Sequence, residues 1–378
     1  MSQSPQHRHY PVLDGLRGIA IGLVLVQHFF QRSPRGEGLA DAVAWAAAGR
    51  SWMGVDLFFV LSGFLITGIL LRDRGQVGYF RNFYARRVLR IFPAYYALLA
   101  IAYGLLPRLH APPVDAYLAD SIGDQVWHWT YLTNLKIALN GHWYEHHIPN
   151  VFWSLAIEEQ FYMVWPLVVW FAGPRALERL CQALFVFAAG LRMYLAWHPE
   201  VHWVESFVLT PTRMDGLVLG SLFALWFRQG RFETRRFQRG MAVALGLAAL
   251  VTVALTLHRP DGWRELPIQS LRFSSIALGA ACLLWLAMTL PAGNRLARAL
   301  SVRPLRFFGK YSYALYLWHG PADALVRYFW PLEWSARGSH LAPQLAFVAV
   351  AGGLSVLFAL ASWHLLEKHC LRLKARFA

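Results

Sequence analysis

Acidic residues are scarce in this chain: 21 Asp and Glu stand against 36 Lys and Arg, and charged residues of both signs make up only 15% of 378 positions. A soluble domain carries about 25% charged residues and about 45–50% apolar ones, whereas here the apolar share is 57%. A soluble core of this size cannot bury that much apolar surface, so lipid must replace part of the water. Such a composition also excludes disorder, collagen and coiled coil. Cysteine is nearly absent. Cys181, Cys282 and Cys370 show no ligand spacing, which excludes a zinc site of cysteine type and a disulfide framework. No glycine-rich nucleotide loop, Ser-His-Asp ordering or HExxH motif is present, so a metal is not expected, nor a permanently bound cofactor.

What is present is a series of long apolar runs. Windows of roughly 20 residues, enough to cross a bilayer, fall at 11–30, 52–71, 88–106, 151–172, 180–197, 206–227, 240–257, 270–290, 311–331 and 343–366. The expectation is an all-α polytopic bundle of about ten spans, a single membrane domain over 1–378. The bundle itself should cover 10–366, leaving 367–378 as a basic cytoplasmic tail. The first run follows a basic stretch but is interrupted by Asp14 and Arg17 and lacks a small-residue cleavage site, so it reads as a retained helix and not as a signal peptide.

A net charge of +15 in a soluble protein would suggest nucleic acid. In a membrane protein it reports topology instead. With the amino terminus inside, Arg8, Arg72, Arg74, Arg81, Arg86, Arg87 and Arg90, the arginines of 175–179 and 228–239, the cations of 295–310 and the tail fall on the inner side. Only Arg32, Arg35, Arg50, Arg108, Lys136, Arg259, Arg264 and Arg337 fall outside. An even number of spans with both ends cytoplasmic follows. The long connection 107–150 then lies outside, rich in aromatics such as Trp127, Trp129, Trp143 and Tyr144 and in histidines, among them His110, His128, His142, His146 and His147. Flat aromatic faces serve a sugar ligand or a membrane-interface belt equally.

Ionisable groups inside spans are costly and are functional candidates by default. Span one carries Asp14, Arg17 and His28. Arg17 and His28 share a helix face about 16 Å apart along the axis, and Asp14 sits one turn from Arg17. Span four carries adjacent Glu158 and Glu159, which point about 100° apart, so only one can face a given partner. Asp56 in span two is placed to pair with a buried arginine, and Ser62 and Gly63 permit close helix approach. Arg213 and Asp215 mark span six, and His319 lies in span nine beside Tyr316 and Trp318. His319 reads first as a packed, hydrogen-bonded residue, secondary to His28. This inventory fits an intramembrane transferase or a proton- or anion-coupled transporter.

The segments YPVLDGLRGIAIGLVLVQHFF, WMGVDLFFVLSGFLITGILL, YFRNFYARRVLRIFPAYY, FWSLAIEEQFYMVWP, RMDGLVLGSLFAL and GKYSYALYLWHGP occur in the order seen in acyltransferase family 3, which the chain resembles over nearly its whole length. Members are integral-membrane enzymes, mostly bacterial, that commonly O-acetylate surface polysaccharides. The family's Arg-x10-His pattern falls on Arg17 and His28, its acidic pair on Glu158 and Glu159, its Ser-Gly-Phe-Leu motif on Ser62 to Leu65, and its basic loop on Arg81, Arg86, Arg87 and Arg90. Some members add a soluble hydrolase-like domain after the last span, for which this sequence leaves no room. The resemblance implies acetyl-coenzyme A as co-substrate, held by Arg17, Arg72, Arg81, Arg86, Arg87 and Arg90, and a carbohydrate acceptor such as an O-antigen, exopolysaccharide or peptidoglycan, near Trp143, Tyr144, Trp153, Arg213 and Asp215. His28 is then general base or transient acyl carrier, with Glu158 or Glu159 orienting it and Asp14 holding Arg17. A bacterial cytoplasmic membrane is the expected location.

Overall fold

The computed structural model describes residues 10–30, 38–110, 117–145, 147–198, 200–258, 270–291, 293–330 and 339–377. Arg8, Arg32, Arg35, His146, Arg259, Arg264 and Arg337 lie outside them. Among the described residues every regular element is helical. The helices that frame the bundle are α1 (Pro11–Phe30), α2 (Gly54–Asp73), α3 (Tyr79–Leu99), α4 (Phe152–Phe171), α5 (Pro174–Trp197), α6 (Asp215–Arg228), α7 (Arg235–His258), α8 (Leu271–Thr289), α9 (Arg303–Lys310), α10 (Ser312–Phe329) and α11 (Leu341–Ser362).

Seven described helices are long and apolar enough to cross a membrane: Pro11–Phe30, Leu39–Asp73, Tyr79–Leu109, Pro174–Trp197, Arg235–Leu257, Leu271–Thr289 and Leu341–Phe377. The other three expected spans coincide with α4, α6 and α10, and each falls short for a physical reason. Polar groups interrupt α4 at Glu158, Glu159 and Gln160, and α10 at His319, Asp323 and Arg327. The sixth expected span, 206–227, is broken. It divides into Trp203–Val208, Thr210–Arg213 and α6, because Leu209 is extended at φ −71° and ψ 138° and Pro211 starts the short middle helix. Two further boundaries differ from the sequence expectation. The third helix starts at Tyr79, so Arg81, Arg86, Arg87 and Arg90 lie on a helix and not in a loop. The expected tail continues α11 through a wide turn at Trp363–Glu367 and then Lys368–Arg372 and Leu373–Phe377, which pack back against α3.

Helices that share a lipid solvent associate through close backbone approach and buried polar contacts. At the α2–α6 contact a Cβ on Gly63 would overlap the Leu217 carbonyl, and one on Gly220 would overlap that of Val60. The α1–α9 contact is as close: Gly18 meets the Leu305 carbonyl and Gly309 the Asp14 carbonyl. This crossing sets the charged face of α9 beside the N-terminal half of α1. On the opposite flank, the Tyr84 hydroxyl donates to the Met163 carbonyl at 2.8 Å, and that of Tyr79 donates to the Pro166 carbonyl at 3.1 Å. These bonds tie α3 to α4 where Pro166 cannot donate to the helical ladder.

The segment between α3 and α4 folds into short helices, including Gln125–Trp129 and Thr133–Asn140. Gln160 anchors it from α4, donating to the Tyr131 carbonyl and to Asn134 at 3.0 Å each and accepting from Thr210. His128 is a structural part of this segment. It is buried, its Nδ1 lies 2.9 Å from the Thr133 hydroxyl, and burial pushes its pKa down to about 4. His128 is therefore neutral at physiological pH.

Candidate active site

Five helices place polar side chains along one interior seam. On α4, Ser154, Glu158 and Tyr162 recur every four residues, so they stack on one face. On α10, Ser312 and Tyr316 do the same. With Arg17 of α1, Ser62 of α2, and Arg87 and Arg90 of α3, they line an interior cavity of about 120 Å³. Its apolar walls come mainly from α2, including Phe58, Phe59, Leu65 and Ile66.

The cavity's acids are held rather than loose. Glu158 lies beside Ser62 and Tyr162, whose hydroxyls touch each other, and within electrostatic reach of Arg17 and Arg87. Glu159 lines the same cavity within electrostatic reach of Arg87. A buried carboxylate is favoured by nearby donors and counter-charge, and hydroxyls and guanidinium groups line the same seam. At the cavity's edge, Arg17 pairs with Asp14 at 3.6 Å, one helical turn away.

A second cleft, of about 550 Å³, adjoins the first. It is lined by Asp14, Arg17, Arg90, Arg303, Arg306, Phe307, Gly309, Lys310 and Trp363. Arg17 and Arg90 belong to both linings, so these two guanidinium groups stand where the cleft meets the cavity. The cleft gathers five cations against one carboxylate, with Lys310 over the Trp363 ring at 5.2 Å. Planar guanidinium forks in such a concentration suit phosphate.

The structure thus brings together Arg17, Ser62, Arg87, Arg90, Glu158 and Glu159, with Asp14 at the mouth. It leaves Arg72, Arg81 and Arg86 outside both linings. Arg72 donates to Asp73 at 2.6 Å, Arg86 lies 3.6 Å from the same carboxylate, and Arg81 is exposed beside Asn82. Sequence reasoning counted Arg303, Arg306 and Lys310 only as topology signals. Nothing in the sequence shows that α9 crosses α1 at its N-terminal half. Tyr162, Tyr316 and Ser154 were readable from their four-residue spacing to Glu158 and Ser312, but aromatic and hydroxyl residues in a span do not attract attention as charges do.

His28 is not part of the cavity lining. It sits in the last turn of α1 with its ring edge-to-face against His319, the centroids 4.7 Å apart and the planes at 86°. Tyr316 connects this pair to the cavity. Its side chain lines the cavity and hydrogen bonds Ser154 at 2.5 Å, while its carbonyl accepts from Nδ1 of His319 at 2.7 Å. The acids lie beside Ser62 and Tyr162, within electrostatic reach of Arg17 and Arg87.

Arg213 and Asp215 are ion-paired in the interior. Arg213 bonds Asp56 at 2.9 Å, and Asp215 bonds Arg192 at 2.7 Å, with all four side chains at 0–1% exposure. Phe59, Trp153, Phe207 and Phe273 surround the Arg213 guanidinium. Both charges are met by partners inside the protein. Trp143 packs edge-to-face on Trp153 and Phe207, and Tyr144 is buried with its hydroxyl 3.1 Å from Asp124. Of the expected acceptor residues only Trp143 keeps an exposed edge. Among the described residues no group of three His, Cys, Asp or Glu side chains could hold a metal ion.

The family described as "Acyltransferase domain" matches residues 10–364. The chain is 28% identical over 331 residues to the peptidoglycan O-acetyltransferase OatA of Listeria monocytogenes, covering 84% of this chain and 50% of that protein. It is 29% identical over 342 residues to the O-acetyltransferase OatA of Staphylococcus aureus, covering 85% of this chain and 52% of that protein. The chain spans about half the length of these curated relatives. No solved structure matches it.

Proposed function

The chain belongs to this acyltransferase family, and on that premise we propose that it moves an acetyl group from acetyl-coenzyme A to a hydroxyl of a cell-surface glycan. Peptidoglycan is the acceptor that a relative's name supports. The proposal places the protein in the bacterial cytoplasmic membrane as a ten-span bundle with both termini inside. Here α4, α6 and α10 count as spans because protein, not lipid, surrounds their polar groups.

The observation that carries the proposal is the sharing of Arg17 and Arg90 by a basic cleft and an interior cavity. Coenzyme A joins a phosphorylated nucleotide to a long, uncharged arm that ends in the thioester. A cationic cleft leading into a narrow, mainly apolar cavity is shaped for such a molecule. In this reading Arg303, Arg306 and Lys310 take the phosphates together with Arg90 and Arg17. The arm passes Arg17 into the cavity, and the thioester comes to rest near Tyr316. Glu158, beside Ser62 and Tyr162, keeps Arg17 and Arg87 in place around the arm.

His28 lies beyond Tyr316 and supplies the proton chemistry. In direct transfer the acceptor oxygen bonds to the acyl carbon while the carbon–sulfur bond breaks. His28 takes the hydroxyl proton and returns it to the departing sulfur. In the two-step form His28 carries the acyl group first and the acceptor then attacks it. The family match favours transfer over the transporter reading. Mass spectrometry of surface glycans from cells with and without the protein tests the proposal. Acetyl esters that vanish with the protein support it, and an unchanged ester pattern contradicts it.

A further inference from the structure

His319 does not line the donor cavity, and its ring lies against that of His28. It is fully buried on α10. One ring nitrogen is committed: Nδ1 lies 2.7 Å from the Tyr316 carbonyl. A carbonyl can only accept, so Nδ1 carries the proton, and Nε2 of the neutral ring is a bare lone pair. That Nε2 is buried and has no hydrogen-bond partner. Leaving a buried acceptor unsatisfied is unfavourable, and such an atom calls for an explanation. The nearest ring is that of His28, 4.7 Å away between centroids and nearly perpendicular.

The pair is also held in register. Arg327, two turns further along α10, reaches the carbonyls of His28 and Phe29 at 3.5 Å each and bonds Asp323 at 2.8 Å. Its guanidinium lies over Phe347 at 4.6 Å. A cation at the carbonyl end of α1 is favourable, and here it also fixes the last turn of α1, which carries His28, against α10.

We propose that His319 is the positioning residue for His28. During turnover its bare Nε2 accepts a hydrogen bond from one nitrogen of the His28 ring. The other His28 nitrogen is then left unprotonated and directed at the substrate. The edge-to-face packing is the resting arrangement, and a turn of the His28 ring brings a nitrogen into hydrogen-bond reach. The proton balance is simple. The acceptor's O–H proton moves to the substrate-facing nitrogen of His28 as the O–C bond forms and the C–S bond breaks, and it then passes to sulfur. His319 holds the opposite N–H throughout and gains no proton. This inference rests on the reading of His28 given above.

The test uses the purified full chain, acetyl-coenzyme A and a soluble peptidoglycan fragment, with kcat and KM measured separately. The variants are His28→Ala, His319→Phe, His319→Gln and His319→Asn. A glutamine oxygen reaches the Nε2 position, an asparagine amide reaches only the Nδ1 position, and phenylalanine keeps the ring alone. His319→Phe should lower kcat on the order of 100-fold with KM for acetyl-coenzyme A unchanged, and His319→Gln should recover most of that loss. If His319→Phe does not insert, the other two decide: glutamine active and asparagine inactive supports the proposal, and equal rates overturn it. A wild-type kcat in correctly inserted His319→Phe also overturns it while leaving acyl transfer intact. Absence of transfer by the wild type, or full activity of His28→Ala, removes the underlying reading and this inference with it.

Discussion

The hydroxyls of Ser154 on α4 and Tyr316 on α10 hydrogen bond at 2.5 Å in the lining of the interior cavity, and the Tyr316 ring packs edge-to-face on His319, the neighbour of His28. Tyr316 thus touches both the space assigned to the donor arm and the histidine pair. Its ring is held in that position from both ends, by Ser154 at the hydroxyl and by His319 at the backbone.

That relationship predicts coupled variants. Ser154→Ala and Tyr316→Phe each remove the same buried hydrogen bond, so each should slow transfer, and the double variant should be little worse than either. The coupling in a double-mutant cycle on kcat should be about 1 kcal/mol. Strict additivity would show that the two hydroxyls act separately.

Donor affinity should follow the cleft and not the density of arginine in the sequence. Combined loss of Arg303 and Arg306 to alanine should weaken acetyl-coenzyme A binding by roughly tenfold or more, the scale of a lost charge-assisted hydrogen bond. Arg81→Ala should leave it unchanged, since Arg81 reaches neither cavity. Added salt should weaken wild-type binding as well. Calorimetry in detergent distinguishes the two sets of arginines, and a larger effect from Arg81 would return the phosphate site to the surface of α3.

The Arg213–Asp56 pair should be structural. Asp56→Ala leaves a buried guanidinium without its counter-charge, a loss of about 3–5 kcal/mol in comparable buried pairs. Its thermal unfolding in detergent should fall accordingly. Replacing both partners, Asp56→Leu with Arg213→Met, should recover much of that loss, because neither change then strands a charge. A double variant as unstable as the single one would point to a further role for the pair.

How much of this was legible in the sequence depends on the residue. Arg17, Glu158 and Glu159 stood out because charges inside apolar runs are expensive, and the Asp14–Arg17 pair followed from their spacing. Asp56 was readable as half of an ion pair, but its partner was not, since nothing local brings Thr210–Arg213 to α2. The break at Leu209 was marked by Pro211 but passed over, because apolar runs flank it on both sides. The cations of α9 were visible but not their destination, which depends on the backbone approach at Gly18 and Gly309. The contact of Tyr316 with both the cavity and His319 had no sequence signal, since it depends on how α4 and α10 pack.

The most direct measurement reconstitutes the protein in sealed vesicles, with labelled acetyl-coenzyme A on the side of the basic cleft and an impermeant peptidoglycan fragment on the other. The account predicts label on the fragment with the wild type and none with His28→Ala, although that variant still binds the donor. A wild-type protein that binds acetyl-coenzyme A in the cleft but labels the fragment only when both share one compartment would contradict transfer through the seam from Arg17 to His28.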